Sequence, residues 1–429
     1  MEGRKGSEVS RKRPVVSGVL ALFVLGAALA LVSASSGSTS KTQAAAAKPV
    51  VISTGKGFGE VYAAKRSTLA HTLFKATLLP KDKVSRNIAL AGLGRADRKV
   101  NLALALKCWK NNGCNTGTKG KLTVAYLEQF GENVYRQMSK MEFILQALTY
   151  PEVGKIIYSS AHVDFNKAFA DWRAAIAQGV DLIVSFPDIG DQYLPVYKEA
   201  TEAGIPVSTY AWGYATGPGE NYTTVVGEDV CVLGQAFAEI INTEVGSGEI
   251  AFLGGTPGNP LSQAWQKCEE EALNPEIEVV GKFDTNWQAA GVQEAMASLL
   301  ASNPDLKGIS YEYATGMAQG AFPAFEAAGV TPDQVWTLRT DEVDLGCAAN
   351  DLGNPNLKIY YYTGGNWQIR QALTAGMMQL NGFEVPPTIV FPIEMQTQSA
   401  RDLCVSGYPS DVPSSTLVPV DLLTQMYPS

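Results

Sequence analysis

Histidine is nearly absent from this chain of 429 residues: only His71 and His162 are present. Two imidazoles leave little with which to assemble a histidine-ligated metal or a Ser-His-Asp triad. No metal, no cofactor and no catalytic constellation is therefore expected. Excess positive charge is missing as well, with 34 Lys and Arg against 42 Asp and Glu and a net charge of −8. Nucleic-acid affinity rests on basic side chains that displace counterions, so no nucleic-acid partner is expected. Cysteine does not occur before Cys108, which argues against a diacylglyceryl-cysteine anchor near the N-terminus. Disorder is not the reading either, because a hydrophobic content of 46% is that of a globular chain.

What is there begins with an export pattern. Arg4, Lys5, Arg11, Lys12 and Arg13 form a basic cluster. An apolar run over 15–32 follows, broken only by Ser17, Gly18 and Gly26, and then the small residues Ser33 to Ser38. Basic, apolar, then small is the order of a secretory signal peptide. The run also approaches the ~20 residues that span a bilayer, so 1–34 is read as a signal peptide or a membrane anchor. A cut fits at Val32-Ser33-Ala34 or within Ala44 to Ala47. Residues 35–50, rich in Ser, Thr, Ala and Lys, read as a flexible tether.

Six cysteines in an exported chain point to disulfides: Cys108, Cys114, Cys231, Cys268, Cys347 and Cys404. Six allow 15 connectivities. Cys108 and Cys114 flank the turn-forming Trp-Lys-Asn-Asn-Gly and are the most natural pair. A zinc site there would need two further ligands, and none stands nearby.

Residues 51–120 read as an N-terminal extension, with helices over 61–79 and 100–109. From Lys121 the pattern changes. Strand-like runs over 122–127, 155–159, 182–186, 207–210, 223–226, 250–253, 277–283, 308–311, 335–339 and 358–362 alternate with helical stretches. The helices fall over 134–148, 165–178, 193–203, 233–245, 262–273, 291–301, 317–328 and 367–380. Such alternation implies α/β lobes with parallel sheets and right-handed crossovers. The strands are too many for one compact sheet, and a split near 226–229 divides them into two. Ala203-Gly204-Ile205-Pro206 and Ala328-Gly329 end helices with glycine in matching fashion.

An ordered set of landmarks then resembles one family. Ala175-Ile176-Ala177-Gln178-Gly179-Val180-Asp181-Leu182-Ile183-Val184 is similar to its helix-to-strand passage in the first lobe, with Pro187-Asp188 at the following turn. Ala203 to Val207, Gly227-Glu228-Asp229 with Gly234, Leu299-Leu300 with Asn303-Pro304-Asp305, and Asp341 follow in the family's order. Over roughly 121–396 the chain thus resembles the sugar-type (type I) periplasmic binding proteins of ABC importers, with ribose-binding protein as the nearest pattern. The resemblance implies two Rossmann-like lobes joined by a three-strand hinge. It implies a first lobe of 121–228 plus 366–388, a second of 229–365 plus 389–400, and a tail over 401–429. It also implies that Cys404 ties the tail to Cys347 and that Cys231 pairs with Cys268.

In open α/β sheets, ligands sit outside the carboxyl ends of the strands. That rule selects Glu128, Phe130, Asn133 and Tyr135, then Phe186 and Asp188, then Trp212 and Glu228. In the second lobe it selects Trp265, Asn286, Trp287, Glu312, Asp341 and Asn366. Aromatics cover the C–H faces of a sugar, while carboxylates and amides take its hydroxyls. The resemblance places Trp287 at a stacking position and Asp341 at a ring-hydroxyl acceptor. Three polar family positions read here as Ala211 followed by Trp212, as Trp265 and as Phe186. The expected pocket is thus more aromatic, with Glu228, Glu312 and Asp341 lacking a matching arginine. Such a pocket suits a sugar or a similar small polar molecule, and a cation held by aromatics and carboxylates is the alternative.

Phe252 to Asn259 is glycine-rich but lacks the Lys-Ser/Thr of a phosphate loop. Asn221-Tyr222-Thr223 matches a glycosylation sequon. The chain is thus read as an exported, monomeric solute-binding protein, not an enzyme, that hands its ligand to an ABC permease. A sensor feeding a signalling receptor, and an exported sugar hydrolase with paired carboxylates, are the rivals.

Overall fold

A computed structural model describes residues 79–427, apart from 132, 212–214, 394, 396–402 and 405–406. The signal or anchor segment, the tether, the helix expected over 61–79 and Trp212 lie outside the described residues. Among the described residues, twelve strands form two sheets. The first contains β1 (Gly113–Asn115), β2 (Leu122–Glu128), β3 (Val153–Ser160), β4 (Leu182–Ser185), β5 (Val207–Tyr210), β6 (Thr224–Glu228) and β12 (Thr388–Phe391). Its order is β1-β3-β2-β4-β5-β6-β12, and only β1, on the edge, runs antiparallel. The second contains β7 (Gly248–Gly254), β8 (Ile277–Asp284), β9 (Gly308–Tyr311), β10 (Val335–Leu338) and β11 (Lys358–Tyr361). Its order is β11-β10-β9-β7-β8, all parallel. From β2 and from β7 onward, both sheets follow the doubly wound order 2-1-3-4-5, the arrangement that opens a crevice beside the first strand.

The central strands, such as β4, β5, β9 and β10, are buried along their whole length because helices cover both faces. The first lobe carries α1 (Lys83–Ala96), α2 (Leu102–Lys110), α3 (Val134–Ala147), α4 (Phe165–Ala177) and α5 (Leu194–Glu202). The second carries α6 (Val230–Glu244), α7 (Pro260–Ala272), α8 (Ala289–Ser302), α9 (Phe322–Ala328) and α10 (Val343–Leu352). The chain then returns as α11 (Gln368–Leu380), packed on β4, β5 and β6, and ends with α12 (Val420–Met426). Helix starts are fixed locally. Asp82, Asn101, Asn133, Asp164, Asp229 and Asn259 each accept a hydrogen bond from a first-turn N–H.

Three expectations change. The segment near 389–400, assigned to the second lobe, enters as β12 in the first sheet, where Thr388–Phe391 pair in parallel with Val225–Glu228. The helix expected over 317–328 is a single turn, a π-helical stretch Met317–Ala321 and then α9. In the extension, α1 is an element that its glycines, Gly92 and Gly94, concealed from periodicity. The Gln371 amide packs onto the bare backbone of Gly92, where a Cβ would stand 2.2 Å from Gln371 Oε1. The extension packs on the first lobe, with Arg95 donating to the Thr149 carbonyl and Gln146 to that of Gly92.

The disulfides are Cys108–Cys114, Cys231–Cys268 between α6 and α7, and Cys347–Cys404 from α10 to the tail. Cα separations of 4.6–5.2 Å suit the bond.

Candidate functional site

The loops that follow β2, β4, β7, β8, β9 and β10 face one another across a narrow cleft with about 30 Å³ of free space. Its lining joins Asn133, Tyr135, Arg136 and Phe186 of the first lobe to Leu261, Trp287, Glu312, Tyr313, Arg339 and Thr340 of the second.

On the first lobe the wall is a rigid unit. Arg136 lies flat on Phe186, 3.4 Å from the ring centroid. Its Nη2 donates to Asp188 at 2.5 Å, and Asp188 also accepts from the Gln129 N–H at 3.3 Å. Burial disfavours the Arg136 charge, but the Asp188 carboxylate together with Tyr210, Glu128 and Tyr126 more than offsets it and holds the guanidinium ionised. The Arg136 Nη1 has no hydrogen-bond partner among the described residues. Asn133 caps α3 by accepting from the Arg136 N–H at 3.0 Å. The Tyr135 hydroxyl reaches across to the Gly364 carbonyl at 3.1 Å.

On the second lobe, Asn286 and Trp287 both adopt left-handed backbone, with φ of 55° and 51°. For a bulky side chain this is a strained conformation, of the kind held at ligand clamps. It lays the indole on Gly255, where a Cβ would stand 2.1 Å from the ring. The other edge of Trp287 meets Phe130 of the first lobe, with ring centroids 5.7 Å apart at 88°. The lobes therefore touch across the cleft mouth.

Glu312 is the polar centre of the second wall. It is buried, its Oε1 accepts from the Ser262 hydroxyl, and its Oε2 has no hydrogen-bond partner among the described residues. Burial raises its pKa. The Ser262 hydrogen bond, the Arg339 charge and the nearby Trp265 and Trp287 indoles oppose that rise without cancelling it. The Trp265 N–H stands near but is not engaged in a well-formed hydrogen bond.

The arginine that the sequence reading found missing is present. Arg339, at the carboxyl end of β10, lines the cleft and donates from Nε to Glu228 at 2.5 Å. Glu228 in turn accepts from Gln368 at 2.5 Å, so it is fully buried in an interlobe network rather than on the cleft wall. Arg136 carries no local signal of its own, being the third residue of α3. Arg339 was within reach of the strand-end rule but was counted as strand interior.

The expected site residues divide accordingly. Asn133, Tyr135, Phe186, Trp287 and Glu312 line the cleft, and Phe130 closes its mouth. Asp188 and Glu228 stand behind it, each holding one arginine. Glu128 turns back to its own loop, accepting from the Gly131 N–H and the Tyr158 hydroxyl. Trp265 is a core residue between Phe237 and Phe252. Asn286 is exposed, and Asn366 is buried with its amide on the Tyr135 carbonyl and the Ser139 hydroxyl. Asp341 is buried and accepts from Ser414 and Ser415 of the tail at 2.8 and 3.1 Å.

With this geometry in hand, comparison with known proteins is decisive on the family. Residues 126–368 match the family described as periplasmic binding protein domain. The chain belongs to that family. That family is described by binding rather than by catalysis. The galactofuranose-binding protein YtfQ of Escherichia coli (strain K12) is 28% identical over 166 residues, which is 37% of this chain and 52% of that protein. The chain thus spans about half the length of that curated relative. Among solved structures, the periplasmic component of the arabinose ABC transporter from Shewanella sp. ANA-3, bound to L-arabinofuranose, aligns with a TM-score of 0.59 at 20% identity. It covers 65% of this chain and 93% of that one. The fructose-binding periplasmic domain of a hybrid two-component system aligns with a TM-score of 0.58 at 20% identity, covering 66% and 93%.

Proposed function

We propose that this protein is an exported receptor that captures a neutral sugar or similar polyol between its lobes and delivers it to an ABC importer. The observation that carries this reading is the charge balance of the cleft. Arg136 is held by Asp188 and Arg339 by Glu228, which leaves Glu312 as the only carboxylate among the described lining residues. Among those residues, an anionic ligand finds each guanidinium already paired with a carboxylate. A hydroxyl-rich ligand finds the open Glu312 oxygen, the Arg136 Nη1, Asn133 and the Tyr135 ring, with Trp287 and Phe186 for its C–H faces. Micromolar affinity corresponds to about −8 kcal/mol, which a closing cleft with aromatic faces and charge-assisted hydrogen bonds supplies. The export pattern in the sequence and the periplasmic character of the family support a location outside the cytoplasm.

Delivery to a sensor kinase is the second reading, favoured by the likeness to the fructose-binding sensor domain. A thermal-shift screen against neutral sugars, sugar acids, amino acids and small cations tests the ligand class. A ligand that binds only the folded form raises the melting temperature by mass action. Stabilisation by neutral sugars alone is the expected outcome, and stabilisation by cations alone contradicts it. Stimulation of the ATPase of a reconstituted importer by the liganded protein separates transport from sensing.

A further inference from the structure

The chain does not end when it leaves β12. Cys404 is bonded to Cys347 on α10, so the tail is already on the second lobe. There it runs beside the N-terminal end of α10. Asp344 N–H donates to the Ser410 carbonyl, Val343 N–H to that of Val412, and Ser414 N–H to that of Asp341. The hydroxyls of Ser414 and Ser415 occupy the two Asp341 carboxylate oxygens. One residue later the tail is on the first lobe. The Thr416 hydroxyl and the Leu417 N–H both donate to Glu142 Oε1 of α3, at 2.6 and 2.9 Å, while the other oxygen of Glu142 pairs with Arg370 of α11. Beyond, Leu422, Leu423 and Met426 of α12 are buried, α12 packs on α2, and Tyr427 meets Trp109 edge-on.

We propose that residues 407–427 form an inextensible tie across the hinge that holds the lobes near the closed geometry before ligand arrives. Ser415 and Thr416 are consecutive, and consecutive Cα atoms are ~3.8 Å apart. Asp341 of the second lobe and Glu142 of the first therefore cannot separate unless one set of these hydrogen bonds breaks. Both sets are buried, and breaking them strands carboxylates in the interior. The tie is made in the same conformation in which Phe130 touches Trp287 across the cleft. Ser415 also stands against the returning crossing, since a Cβ on Gly365 would meet its Oγ at 2.9 Å. Holding the lobes together raises the fraction of ligand-free protein that is competent to bind, and apparent affinity scales with that fraction.

The test lengthens the tie without removing its anchors. About eight Gly/Ser residues inserted between Ser415 and Thr416 leave every side chain named above in place and add flexible reach. A second variant, Ser414→Ala/Ser415→Ala/Thr416→Val, removes the side-chain donors instead. Small-angle scattering is recorded on ligand-free protein whose near-ultraviolet dichroism is native. A larger radius of gyration than wild type for the insertion variant is the expected result. With the best ligand of the thermal screen, the affinity of that variant falls about fivefold. A ligand-free radius of gyration equal to wild type overturns the tie, and so does a gain in affinity. If the triple variant does not fold, the insertion variant alone decides. The scattering needs no ligand, so failure of the sugar reading leaves this test standing.

Discussion

Trp287 sits in a backbone conformation that costs of order 1–3 kcal/mol for a side chain of its kind, and the surrounding structure sustains it. Its platform is Gly255, whose lack of a side chain lets the indole lie on the backbone. Gly255→Ala is expected to displace the ring and weaken ligand binding about tenfold while the protein stays folded; calorimetric titration with a melting curve checks both. Glu312→Ala is expected to weaken binding by a similar factor, because it removes the one open carboxylate oxygen among the described lining residues. Asp341→Ala reports on a different function. Its oxygens are taken by Ser414 and Ser415, so its loss strands two hydroxyls and lowers stability by about 1–3 kcal/mol, read by denaturant unfolding.

At the scale of elements, the start of α10 carries a buried acid cluster. Glu342 accepts from the Thr340 hydroxyl and the Ala314 N–H, and Asp344 from Thr315 and Gln319. Burial first, with Asp341, Asp344 and Asp411 as negative neighbours, pushes Glu342 up to about 8 and Asp344 to about 7. Acids raised in the folded state bind protons that the unfolded chain has lost. Stability is then full below the ordinary carboxylate range and falls as pH rises through 7 and 8. The melting temperature is expected to decline between pH 5 and about 8.5, and Glu342→Gln to flatten that decline. A curve of equal slope in the variant contradicts this.

Elements were also where sequence was most informative. The central strands announce themselves because parallel strands buried on both faces are short apolar runs, and the edge strands β8 and β11 follow from the same strand–helix rhythm. By contrast, α10 is hidden in Val-Asp-Leu-Gly-Cys-Ala-Ala-Asn-Asp-Leu, whose Gly, Asn and Asp carry little helical signal, and it forms by packing and the clip at Cys347. The strand-end rule found five cleft-lining residues, Asn133, Tyr135, Phe186, Trp287 and Glu312. It failed at Glu228, Asp341 and Asn366, which lie at the right ends but turn to partners distant in sequence, namely Arg339, the tail serines and Tyr135. Such pairings across 74 or 231 positions leave no local trace.

At the scale of the whole molecule, two sheets of the same strand order place their switch points on either side of one cleft. In the proposed function, ligand capture follows from their approach, because the lining residues come from both lobes. The central claim is that a neutral sugar bridges those walls. Calorimetric titration of the wild-type protein and of Trp287→Ala with neutral aldoses and ketoses in furanose and pyranose forms tests it most directly. The account predicts micromolar binding of at least one neutral sugar, weakened about tenfold or more by Trp287→Ala. Equal affinity in the two proteins, or binding confined to charged ligands, would contradict it.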